Sequence, residues 1–192
     1  MFPGEKDYRA ERKAFLATME SLTPEEFENG TTLCAEWAPR DVLAHLLGID
    51  EAVGEYVKAA GNINKGNARV VARFKGLTRE EMLAHARRWA EKPAFLPLAA
   101  SWALLQDLAI HHQDVLRGLG RSREVPAASA KAMLREGLLF GGAKLRKYRI
   151  EPSDHGRAMG RGQVVRGTAE QLAMWLAGRD AVATELVFGA TD

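Results

Sequence analysis

The chain predicts a mainly α-helical protein with a small C-terminal α/β segment, and three observations carry that prediction. Apolar residues recur at intervals of three and four through most of the first 142 positions, the period of a helix with one buried face. Three threonine-led capping boxes mark helix starts: Thr23-Pro24-Glu25-Glu26, Thr78-Arg79-Glu80-Glu81 and Thr168-Ala169-Glu170-Gln171. Beyond Gly141-Gly142 the pattern changes to short, partly β-branched runs on either side of Pro152-Ser153-Asp154-His155-Gly156. The expected division is a helical bundle over 1–142 and a small α/β segment over 143–192.

Composition excludes several classes. The 192 residues suffice for one generous domain or a domain with an appendage, and 46% hydrophobic with 27% charged residues is a globular balance. The formal charge of +2 is spread along the chain, so nothing supports nucleic-acid binding. Cys34 is the single cysteine, which rules out an internal disulfide and a thiolate zinc cage of the finger type. No apolar run approaches the roughly 18 residues of a membrane span, and the start, Met1-Phe2-Pro3-Gly4-Glu5-Lys6-Asp7, lacks the apolar core of a signal peptide. A soluble, cytoplasmic protein with no membrane partner is expected.

The elements follow in order. Tyr8, Phe15, Met19 and Leu22 form the apolar stripe of a first helix from about Glu5 to Leu22, with charges between them. The Thr23 box opens a short helix that Asn29-Gly30 ends. Pro39 starts a helix to about Ala60 on Val42, Leu46, Ile49, Val53 and Tyr56, and Gly61-Asn62-Ile63-Asn64-Lys65-Gly66-Asn67 is turn chemistry that closes it. The Thr78 box opens a helix through Met82, His85 and Trp89 to the stop at Lys92-Pro93. A further helix runs from about Ala99 to Leu116, ended by Gly118-Leu119-Gly120, and the next carries Ala130, Met133, Leu134, Leu138 and Leu139 up to Gly141-Gly142. In the tail, Leu145–Ile150 and Gln163–Arg166 read as two strands around a turn, and the Thr168 box leads into Leu172, Trp175 and Leu176. Trp37, Trp102 and Trp175 are read as core aromatics, and Cys34 as a small buried hydrophobe.

The helix from Ala99 holds the chemistry. Asp107 and His111 stand four residues apart, one above the other on a helix, and His111 shares a stripe with Leu104, Leu108 and Val115. His45 lies inside the stripe of the Pro39 helix. Ionisable groups aimed at a core are costly unless paired, hydrogen-bonded or ligating a metal. Two histidines and one carboxylate are a common ligand set of catalytic zinc, which keeps a fourth position open, and non-haem ferrous iron uses the same ligand types. Asp41 and Asp114 are candidates to hold the histidines' outer N–H groups, against simpler roles at a helix start and with Arg117. A histidine on an apolar face is more often a satisfied core residue, and His112 replaces His111 if the helix is rotated. Glu81 and His85 form a rival pair at the same spacing, although the capping box already employs Glu81.

Three blocks in this order carry a resemblance: Glu36-Trp37-Ala38-Pro39-Arg40-Asp41-Val42-Leu43-Ala44-His45-Leu46, the run from Asp107 to Gly120, and Val165-Arg166-Gly167-Thr168-Ala169-Glu170-Gln171-Leu172 with Trp175-Leu176-Ala177-Gly178-Arg179. Together they resemble the mycothiol-dependent maleylpyruvate isomerase family of the DinB-like superfamily, over nearly the whole chain. The resemblance implies a DinB-like four-helix bundle with a C-terminal α/β segment. It also implies a divalent metal, usually zinc, held by His45, Asp107 and His111, where the family often has glutamate at the position of Asp107.

The same resemblance implies a thiol-using enzyme with mycothiol as cosubstrate and a small electrophile as partner. A metal-held thiolate would serve cis-to-trans isomerisation by addition to a double bond, or S-transfer by displacement. Metal binding without catalysis and a metal-dependent hydrolase remain the alternatives, and either a monomer or a homodimer fits. Arg117, less than two turns beyond His111, and Arg166, in the third block, are candidates to hold a substrate carboxylate through the guanidinium fork, with a solvated surface arginine as the plain alternative for each.

Overall fold

The computed structural model describes residues 1–34, 36–60 and 62–189, and among these it is mainly helical with a small sheet near the C-terminus. Two compact units are formed, one from Met1–Leu104 with His111–Ser122 and the other from Leu105–Ile110 with Arg123–Asp192.

In the first unit, α1 (Glu5–Ser21) buries Tyr8, Phe15 and Met19 as its stripe requires. It also buries Glu11 and Arg12, which the sequence leaves among the solvated charges. Arg12 pairs with Asp50 at 2.9 Å and stacks over Trp89, 3.9 Å from the ring centre, so its charge enters the core with a partner and an aromatic face. α2 (Pro24–Asn29) begins at the Thr23 capping box. α3 (Pro39–Glu51) and α4 (Val53–Lys58) replace the single helix expected over 39–60, because the backbone leaves the helical region at Ala52 (φ −137°). Ala52 carries no breaker chemistry, and the apolar period continues across it, so the break has no sequence signal. The side chain of Val53 lies outside the described ones.

α5 (Ile63–Phe74) starts inside the segment expected to be a turn. The Asn62 side chain accepts the Lys65 N–H, and the carboxamide that makes asparagine a turn residue equally makes it an N-cap. Gly61, part of that turn reading, lies outside the described residues. Gly48 lets α5 lie close against α3: a Cβ there would come within 2.0 Å of Val70 Cγ1. α6 (Arg79–Glu91) follows the Thr78 box and packs against α1 and α3. α7 (Phe95–Ala99) is a short helix without a sequence signal, and α8 (Ser101–Gly118) begins two residues later than expected.

In the second unit, α9 (Ala127–Phe140) packs on α11 (Ala169–Leu176), which the Thr168 box opens as expected. α10 (Gly142–Leu145) takes the first residue of the expected strand, and β1 runs Tyr148–Pro152. β1 pairs in parallel with β3 (Gln163–Gly167), Ile150 opposite Val165, and antiparallel with β2 (Met159–Gly160). β4 (Val187–Phe188) follows a 3₁₀ turn at Asp180–Glu185 and completes the order β2-β1-β3-β4.

Candidate metal centre

α3 points His45 inward because its start is anchored. Pro39 sits at the first helical position, and the Asp41 carboxylate accepts the Ala38 N–H at 3.1 Å, which gives Asp41 a capping role instead of a place beside the histidines. Val42, Leu46 and His45 then share the buried face, with His45 only 6% exposed. Its Nδ1 lies 3.3 Å from the Tyr56 hydroxyl, which itself lies 2.9 Å from Asn67 Oδ1. An amide oxygen only accepts, so the hydroxyl donates to Asn67 and its own oxygen accepts from His45 Nδ1–H. The tautomer that results carries the lone pair on Nε2.

His111 has the same arrangement from a different partner. Its Nδ1 lies 3.0 Å from Asp114 Oδ2, and Asp114 is fully buried. The carboxylate accepts the Nδ1–H, so that in the neutral ring the lone pair lies on Nε2. The two imidazoles approach edge to face with ring centres 4.9 Å apart, and Trp37 stands against both at 5.2 and 5.8 Å. His45, Asp107 and His111 bring potential ligand atoms within 4.8 Å of one another, Asp107 being half-buried one turn before His111 on α8. The three residues singled out by spacing are thus brought together.

His112, the rotated alternative, is engaged elsewhere. Its Nε2 lies 2.8 Å from Thr18 Oγ1 and its Nδ1 2.7 Å from Glu11 Oε1, with the Phe15 ring edge-on at 5.3 Å. The rival pair is also divided: Glu81 accepts the Thr78 N–H and hydroxyl, and His85 Nδ1 faces Glu51 at 2.7 Å. The Thr78 backbone N–H, then its hydroxyl, hold the Glu81 carboxyl below its ordinary range.

The segment before α3 supplies two residues that sequence reading placed in the core. Thr31 Oγ1 donates to Gly118 O at 2.6 Å and Leu33 N–H to Asp114 O at 3.0 Å, which ties this segment to α8. Gly118 permits the approach, since a Cβ there would lie 2.3 Å from Thr32 Cα. Cys34 and Trp37 are consequently half-buried at the mouth of a cavity of about 370 Å³ that Glu36 and Asp41 also line. Cys34, His111 and Asp114 form a second group with ligand atoms within 4.8 Å of one another. Trp102, also read as core, is 54% exposed, whereas Trp175 is buried.

Of the two arginines, Arg117 is half-buried in the last turn of α8, and Arg166 is exposed on β3 with its guanidinium 2.8 Å from Glu151. No helix among the described residues is long and apolar enough to cross a membrane.

The helical architecture is of the mainly α, DinB-like class. Residues 8–94 match the family model of the mycothiol maleylpyruvate isomerase N-terminal domain. The match includes Trp37 and His45 and ends before α8. No curated protein and no solved structure matches the chain.

Proposed function

We propose that this protein is a divalent-metal-dependent, thiol-using enzyme in which His45, Asp107 and His111 hold the ion. One observation carries the reading: Tyr56 and Asp114 take the outer N–H of the two histidines, so both present an Nε2 lone pair, as metal-ligating histidines do. Two imidazoles and one carboxylate suit zinc with an open fourth position. Bound there, the ion would supply a positive charge able to lower the pKa of a thiol and keep it as thiolate.

The chain's own residues do the remaining work. Trp37 forms an aromatic wall beside both imidazoles and limits water at that side. Asp107 contributes one negative charge, and an ion held by this set keeps a net positive charge that favours an anionic cosubstrate. Mycothiol is the thiol the family name points to, and addition to and departure from an electrophilic double bond, or S-transfer, are the reactions proposed for it. Arg117 and Arg166 are the proposed carboxylate partners, Arg166 with Glu151 beside its guanidinium.

Metal analysis of protein purified without a histidine tag tests the centre, with one divalent ion per chain expected and loss in His45→Ala. Cobalt substitution followed by thiol titration then tests the chemistry. A sulfur-to-cobalt charge-transfer band that appears with mycothiol and not with its alcohol analogue supports it. A spectrum indifferent to every thiol overturns the thiol reading in favour of metal-activated water.

A further inference from the structure

We propose that Cys34, His111 and Asp114 form a second ligand set, selective for soft, thiophilic cations. The inference touches the proposed function through His111, which both sets contain, and through Asp114, which there accepts the His111 ring N–H.

The site is built by the tether between the Cys34 segment and α8. The N–H of Leu33 donates to the carbonyl of Asp114, so the chain places Cys34 one residue past a fixed contact with the residue whose carboxylate completes the set. Thr32 fixes the turn beyond, its hydroxyl 2.9 Å from Cys34 O and 2.8 Å from Trp37 O. The carboxylate and imidazole are already joined at 3.0 Å. Bond lengths of about 2.3 Å to sulfur and about 2.0 Å to nitrogen place two tetrahedral ligand atoms roughly 3.5 Å apart. The present separations are all within 4.8 Å, and the imidazole–carboxylate pair is already at 3.0 Å. Cys34 lines the cavity of about 370 Å³, which gives an ion a path to the sulfur.

Charge and softness separate the two sets. A thiolate and a carboxylate carry two negative charges and neutralise a divalent ion, whereas the set with His45 and Asp107 carries one. Sulfur ligands favour soft ions, while imidazole and carboxylate suit borderline and harder ones. Cadmium therefore belongs with Cys34, and cobalt with His45 and Asp107. Because His111 serves both, occupation of one set weakens the other.

The test is cadmium titration of the full, metal-free chain, kept reduced with a phosphine, read by the ultraviolet sulfur-to-cadmium charge-transfer absorption. A saturable band at one equivalent is expected in the wild type and in His45→Ala, and none in Cys34→Ser. Cobalt should show the reverse, retained in Cys34→Ser and lost in His45→Ala. Cadmium affinity should fall about tenfold or more in His111→Ala, with Asp114→Asn carrying the same expectation should the first variant not fold. Cadmium binding without the band, or a band of unchanged affinity in Asp114→Asn, overturns the second set and leaves the first untouched. Loss of cobalt binding from the wild type overturns the first set alone.

Discussion

Asp114→Asn is the substitution that probes the centre most directly, because it changes the charge behind His111 while keeping the shape of the side chain. The native carboxylate is fully buried and accepts the ring N–H at 3.0 Å. A hydrogen bond to a charged group contributes about 1.5–3 kcal/mol, against about 0.5–1.5 for a neutral pair. The amide oxygen of asparagine accepts the same N–H, so the loss is the difference, about 1–1.5 kcal/mol. Since about 1.4 kcal/mol is a factor of ten, zinc affinity should fall roughly tenfold, at the low end of the 10–100-fold typical of such outer partners. Competition against a chromophoric chelator measures it, with circular dichroism to establish that helix content is unchanged. Affinity within twofold of the wild type, in a folded variant, would refute the claim that Asp114 orients and polarises His111 for a metal.

Asp50→Asn removes the buried partner of Arg12 and should destabilise the protein by about 3–5 kcal/mol in urea unfolding; a loss under 1 kcal/mol counts against the pair as a core element. Gly48→Ala forces a Cβ into Val70 and should lower stability by about 1–3 kcal/mol. Gly54→Ala, where nothing lies within 4 Å, should raise it by about 0.5–1 kcal/mol, and equal effects at the two glycines in thermal melts would show that the close approach of α3 and α5 is misread. Glu81 has its pKa lowered in the fold from an ordinary 4.5, so its contribution is complete above that value and vanishes as pH falls through the lowered one. Melting of wild type and Glu81→Gln should therefore differ at neutral pH and converge in acid, whereas a gap constant down to low pH would contradict the cap.

Much of the helical frame was legible because its signals are local. The three capping boxes act between residues three apart, and each was found where the sequence puts it. Ala52 and Asn62 escaped for opposite reasons: one breaks a helix without breaker chemistry, the other starts a helix with turn chemistry. His45, Asp107 and His111 could be chosen from periodicity, since a polar residue on an apolar stripe is visible in one dimension. Tyr56, Trp37 and Cys34 could not, because their relation to the histidines depends on how α4 and the segment before α3 fold back. Gly118 was legible as a helix end, but its second property, leaving room for Thr32, appears only when the two segments meet.

The adjacent histidines show how a buried imidazole acquires its role from its partners. His111 and His112 differ by one position and are both buried in α8, so hydrophobic patterning treats them as equivalent. Around His112 the bundle supplies Thr18 to one nitrogen and Glu11 to the other, and the ring is closed on both sides. A metal would have to displace one of those partners. Around His111 the fold supplies an acceptor at Nδ1 and brings the ring beside His45 and Asp107. Glu11 decides the contrast. By burying a carboxylate on α1 opposite position 112, the first helix engages His112 away from the group that His111 shares with His45 and Asp107, so His112→Phe should leave metal content intact while His111→Phe should abolish it.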